Sequence, residues 1–152
     1  MKFLVDQMVG RLGRWLRILG CDAASVERDV PPEAIAYKSL QEERILLTKN
    51  MSISRRKVYG LYGVRGEIWR EQVPEVMKHF GLLPDPEKIF TRCPVCNVLL
   101  EKKAKAEIEK GVPAYVLDTT ERFFFCPSCL RVYWHGSHRE LLDKTLKALL
   151  NP

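Results

Sequence analysis

No apolar run in this sequence approaches the ~20 residues that a bilayer-crossing helix requires, which sets aside a helical membrane protein. The N-terminus lacks the basic flank and small-residue cleavage site of a secretory signal, and no repeat or low-complexity tract appears anywhere. A cytoplasmic protein is therefore expected. Cysteine is limited to five residues in 152, and in a reducing compartment they argue for metal ligation over disulfides. Cys21 stands apart from the other four and reads as a small buried apolar residue. Acidic charge is outnumbered, 19 Asp and Glu against 25 Lys and Arg for a net +6, which favours an anionic partner without naming one. The length suits one ordinary domain, or a domain of about 90 residues with a small module that needs its own staple.

The most informative stretch is KFLVDQMVGRLGRWLRILGCD, Lys2 to Asp22. Phe3, Leu4 and Val5 form the short apolar run of a strand covered on both faces, and Asp6 breaks it with a charge. An acid at the carboxyl end of such a strand is placed where open α/β sheets collect ligands and catalytic groups. A helix N-cap is the plainer role. Met8 to Leu19 then reads as a helix, with Leu12, Trp15, Leu16 and Leu19 on one stripe and Gly20 as its stop. Arg11, Arg14 and Arg17 recur at three-residue spacing, which fits either binding the phosphates of a polyanionic substrate or a solvated face.

Ala23 to Val26 predicts a second strand, Pro32 to Glu42 a helix with Glu33 in its first turn, and Arg44 to Thr48 a third strand. Strand, helix, strand, helix, strand with right-handed crossovers gives a parallel sheet flanked by helices. Asn50 comes just past the third strand, equivalent to Asp6 past the first. Its amide oxygen can ligate Mg²⁺ or Mn²⁺ without adding charge, or it can serve as a turn residue. Met51 to Tyr59, with Arg55, Arg56 and Lys57, predicts a short helix or loop; Val64 to Trp69 predicts a further strand, and Glu71 to Phe80 a helix ended by Gly81. The proline-containing LLPDPEK segment places a boundary between residues 1–84 and 85–152.

Past it, Cys93 and Cys96 form C-P-V-C and Cys126 and Cys129 form C-P-S-C, 29 residues apart. Two such pairs match a closed four-thiolate Zn²⁺ site, structural because no position is left for water. The spacer, with Tyr115, Val116, Leu117 and Phe123 to Phe125, suits the β-hairpin of a zinc ribbon. Because the thiolates fill the zinc, His135 and His138 read as packing or hydrogen-bonding residues, Tyr133 or Trp134 as RNA-stacking candidates, and Arg139 to Leu150 as a C-terminal helix.

KFLVDQMVGRLGRWLRILGCD, RILLTKN, RCPVCN and CPSCLRVYWHGSH, in that order, resemble the Mut-seven C-terminal ribonuclease domain family, a PIN-like nuclease fold fused to a zinc ribbon. The resemblance implies a three-layer α/β/α sandwich around a parallel sheet, with acids at the strand ends binding Mg²⁺ or Mn²⁺ for RNA phosphodiester hydrolysis. Asp6 matches the first of these acids, and Glu33 is the nearest candidate for the second. Where the family pattern ends L-T-R-D, this chain has Leu47-Thr48-Lys49-Asn50. The leading expectation is therefore a metal-dependent ribonuclease with Asp6, Glu33 and Asn50 as its catalytic set. Its alternative is an RNA-binding module with a degenerate nuclease site, and a protein-interaction adaptor is a third reading.

Overall fold

The protein's structure, a computed structural model, describes residues 1–108, 112–134, 144–145 and 147–148. It divides into two compact units, Met1–Asn97 and Val98–Pro152.

In the first unit the apolar run becomes β1 (Lys2–Val5), flanked on both sides in a four-stranded parallel sheet. Its neighbours are β2 (Asp22–Ser25) and β3 (Ile45–Thr48), and β4 (Gly60–Gly63) pairs with β3, giving the order β2-β1-β3-β4. A 3₁₀ turn, Gln7–Val9, leads into α1 (Gly10–Ile18); α2 (Pro32–Gln41) joins β2 to β3, and α3 (Trp69–Phe80) follows β4.

Side chains alternate across a strand, and the layers follow from that alternation. Phe3 meets the ring of Phe80 edge to face at 5.2 Å. A Cβ on Gly13 would lie 3.0 Å from Val5 Cγ1, so α1 and α3 cover this face. Trp15 stacks on Trp69 with centroids 4.7 Å apart, fastening the same two helices. Leu4 points the other way, into a cluster with Val26, Leu46 and Ile53 against which Ile35 of α2 packs. The result is the expected mixed α/β fold with helices on both faces of a parallel sheet.

Residues 64–68 form a loop where a strand over Val64 to Trp69 is expected. The Glu75 carboxylate accepts the Arg65 and Gly66 backbone N–H groups at 2.9 and 2.8 Å, together with the Tyr62 hydroxyl. Those amides are thereby taken from any sheet ladder.

Residues 85–97 stay with the first unit, beyond the expected break at 84/85, because backbone and side-chain bonds hold them there. Phe90 N donates to Ile18 O at 2.9 Å, and Asn97 accepts from Ala23 N at 3.0 Å while donating to Asp22 at 2.7 Å. Gly20, at φ +84°, turns the chain where a Cβ would collide with the Lys88 carbonyl. Asp22 also binds Arg44 at 2.6 Å. Burial alone would raise the Asp22 carboxyl, but the Arg44 and Asn97 hydrogen bonds and the Arg44 and Arg92 charges outweigh it and hold the value below the ordinary range. A carboxyl depressed on folding contributes stability that is complete above its unfolded value, about pH 4, and is lost as pH falls through the folded one. Acid titration followed by circular dichroism should therefore show Asp22→Asn flattening the loss of stability below about pH 4 relative to wild type.

In the second unit, β5 (Glu101–Ala104), β6 (Arg122–Phe125) and β7 (Val132–Trp134) form an antiparallel sheet in that order. Tyr115, Val116 and Leu117, expected in a hairpin strand, lie instead in α4 (Ala114–Thr119). Pro113, fixed at φ −60°, leads directly into its first turn, and Val116 is the residue of this helix that is buried. His135, His138 and most of the expected helix from Arg139 to Leu150 lie outside the described residues. Among the described residues no helix is long and apolar enough to cross a membrane.

Candidate active site

The carboxyl edge of the parallel sheet carries the expected acid. Asp6 continues the ladder by one bond, its N–H donating to Leu47 O at 3.0 Å, and this sets its carboxylate beside the end of β3. There Thr48, buried at 1% exposure, donates its hydroxyl to Asp6 Oδ2. The same hydroxyl oxygen accepts Asn50 N–H at 2.8 Å. Asn50 Oδ1 in turn accepts Ser52 N–H at 3.1 Å and caps the 3₁₀ turn Met51–Arg55. One hydrogen-bonded chain thus links Asp6, Thr48 and Asn50 across two strand ends.

These three residues line a cavity of about 340 Å³, walled on its other side by the aliphatic groups of Val30, Pro32, Ile35 and Ile53. Glu27 and Gln7 complete its rim, with Gln7 Nε2 donating to Glu27 O at 2.6 Å. A second hollow that also touches Asp6 reaches Gly10, Ser25 and Arg28.

Asp6 and Asn50 are therefore brought together, whereas Glu33 does not line the cavity. Its exposed carboxylate is tied to the Arg56 guanidinium, and that hydrogen bond holds the carboxyl below the usual range. Glu27, an exposed residue, is the other acid in the cavity's lining. The signal for it was available: it follows β2 at the sheet edge where Asp6 follows β1 and Asn50 follows β3. Among the described residues no three carboxylates converge closely enough to form a ligand cluster.

The three arginines of α1 separate. Arg11 and Arg14 are exposed. Arg17 is 4% exposed and fully engaged, which removes it from the phosphate-binding set. Its Nε donates to Ala23 O at 2.7 Å, its Nη1 to Pro94 O and Val95 O at 2.9 and 2.6 Å, and its Nη2 to the Ser25 hydroxyl. Burial lowers the guanidinium's pKa while the neighbouring Cys93 and Cys96 raise it. In effect Arg17 grips the backbone of the first cysteine pair.

The two cysteine pairs have the same local build. Asn97 N bonds Cys93 O at 3.0 Å, and Leu130 N bonds Cys126 O at 2.9 Å. The residue after each second cysteine is left-handed, Asn97 at φ 70° and Leu130 at φ 58°. The four sulfurs lie within 4.8 Å of one another. Tetrahedral Zn²⁺ with ~2.3 Å bonds needs sulfurs about 3.8 Å apart, so this cluster could hold a metal such as zinc.

The fold and site together define a parallel-sheet α/β protein with an acid-bearing cleft at its carboxyl edge and a cysteine cluster consistent with a zinc ribbon. A family model described as the Mut7-C RNAse domain matches residues 1–146, and the chain belongs to that family. No curated protein and no solved structure matches the chain. The family points to a ribonuclease, and so to RNA as substrate.

Proposed function

We propose that the protein is a divalent-metal-dependent ribonuclease that cuts RNA at the Asp6 cleft. The observation that carries this reading is the Asp6 carboxylate, fixed by Thr48 at the carboxyl edge of the sheet and lining one cavity with Glu27 and Asn50.

A hard divalent cation takes oxygen donors, and Mg²⁺ commonly uses one or two carboxylates plus phosphate oxygens of the substrate. Asp6 and Glu27 fit that requirement as the cleft's carboxylates. Bound there, Mg²⁺ or Mn²⁺ would lower the pKa of a water and neutralise charge developing on the phosphate. Asp6 keeps Oδ1 for this purpose, since the Thr48 bond is made to Oδ2. Exposed Arg11 and Arg14 supply guanidinium groups for backbone phosphates. The four cysteines hold zinc in a structural role, and reduced thiolates of this kind suit the cytoplasm.

A second reading has its own support: an RNA-binding protein whose nuclease site has decayed. Asn50 adds no charge for a cation, and Glu33 is committed to Arg56. One assay separates the two, cleavage of a mixed-sequence single-stranded RNA in Mg²⁺ and in Mn²⁺, with RNA affinity measured on the same preparations. The nuclease reading expects metal-dependent cleavage by wild type that falls about 100-fold or more in Asp6→Asn, given the 10–100-fold costs of even outer-shell changes at metal sites. Wild type that binds RNA but does not cut it, with cutting gained in Asn50→Asp, would instead establish the decayed site.

A further inference from the structure

Resting on the reading of the Asp6 cleft as an RNA site, we propose that Asn50 holds a substrate phosphate oxygen through its side-chain NH₂. Position 50 then serves this chain as an anion donor instead of a cation ligand.

The orientation of the amide is dictated by its neighbour. Ser52 N–H points at the Asn50 side chain at 3.1 Å, and a backbone N–H requires an acceptor opposite it. A flipped amide would set two donors face to face. The oxygen is therefore committed to the cap, and the NH₂ is the part of the side chain left for the cleft. Its two protons have no partner among the described residues. The backbone N–H is committed as well, to Thr48 Oγ1 at 2.8 Å, so the residue is held at both ends and its free donors stay fixed relative to Asp6.

Charge makes those donors useful. A phosphodiester carries a negative charge and must approach a cavity whose lining includes the acidic residues Asp6 and Glu27, whose charges repel it. A neutral NH₂ on the rim offsets part of that repulsion, and hydrogen bonds to charged acceptors are about twice as strong as neutral ones. Aspartate at position 50 would preserve the cap, because a carboxylate oxygen also accepts Ser52 N–H. It would present a third negative group to the same phosphate. In this chain the cleft has exchanged cation affinity for anion affinity at one position.

The test measures affinity of the full, zinc-loaded chain for a mixed-sequence single-stranded RNA in buffer freed of Mg²⁺ and Mn²⁺. Wild type is compared with Asn50→Asp, which keeps an oxygen for the cap, and with Asn50→Gly, which removes the side-chain donor without adding charge and at little cost to the cap. Loss of a hydrogen bond to a charged group predicts that Asn50→Asp binds roughly tenfold or more weakly, with Asn50→Gly between it and wild type. Adding millimolar Mg²⁺ should return Asn50→Asp to wild-type affinity or beyond, because its carboxylate then recruits the cation. Asn50→Gly binding as well as wild type would attribute any loss in Asn50→Asp to charge alone and overturn the donor role. Asn50→Asp matching wild type without metal would overturn it too, while leaving the nuclease reading intact. A wild type that neither binds nor cuts RNA would remove that reading and the proposal with it.

Discussion

An Arg17→Leu chain is expected to be less stable than wild type by about 3–5 kcal/mol, a cost set by the acceptors it abandons and not by lost apolar contact. Leucine fills much of the space of the arginine stem at this 4%-exposed site on α1, but it donates nothing. Three carbonyls, Ala23 O, Pro94 O and Val95 O, then lose their donor together with the Ser25 hydroxyl. Each orphaned buried acceptor costs about 1–3 kcal/mol, and water entering from the surface recovers part of the sum. For a chain of this size the loss corresponds to a fall of roughly 10–15 °C in thermal midpoint. Arg17→Lys should fall between the two, because a point-charge ammonium cannot reproduce a planar fork that reaches β2 and the cysteine loop at once. Scanning calorimetry on the three proteins decides it, and an Arg17→Leu midpoint equal to wild type would sink the argument. Arg11→Ala and Arg14→Ala, on the exposed side of the same helix, should leave the midpoint nearly unchanged.

Arg17 also shows where the sequence stops being legible. Spacing of three residues suggests a common face, but at 3.6 residues per turn each step of three falls short of a full circle by about 60°. Across Arg11, Arg14 and Arg17 the drift reaches about 120°, enough to carry the third arginine from solvent into the interior beside buried Gly13 and Leu16. The sheet was readable because Phe3–Val5 and Ile45–Thr48 are apolar runs ended by polar residues, a pattern local to each strand. Asp6 and Asn50 were readable as a pair for the same reason, since strand-end equivalence in a parallel sheet places them together. Glu33 was not, because its direction depends on Arg56, a contact 23 residues away. Likewise the loop at 64–68 is fixed by Glu75 further along the chain, and α4 depends on how the spacer around Val116 packs. The errors fall where a long-range hydrogen bond or a packing choice overrides local pattern, and the successes fall where local pattern and topology agree.

The second large effect expected is on the cysteine cluster. Removing the metal from the purified chain, or replacing Cys126 by serine, should unfold residues 98–134 while the first unit's sheet remains. The reason is the imbalance between the two cores. The parallel sheet is packed on both faces by fully buried Phe3, Leu4, Leu12, Leu16, Leu46 and Leu47. Among the described residues of 98–134, by contrast, the buried hydrophobic ones are Val116, Phe123 and Cys126, one of them a metal-ligand candidate. A module with so little apolar burial cannot offset its conformational entropy unaided, and structural zinc in Cys-rich peptides supplies apparent binding free energies of about 10–16 kcal/mol. Serine at position 126 would remove one of the four sulfurs that could hold the ion, and the Cys126 carbonyl and amide that form the second pair's turn with Leu130 and Arg131 would lose that anchor. Hydrogen exchange should show protection vanishing in β5, β6 and β7 on zinc removal and persisting in β1 and β3. Thiol titration should find four cysteines newly reactive, and zinc analysis about one ion per loaded chain. A purified chain without bound zinc, or protection in β6 unchanged after chelation, would mean that the second unit folds on its own packing and that the four cysteines are not its staple.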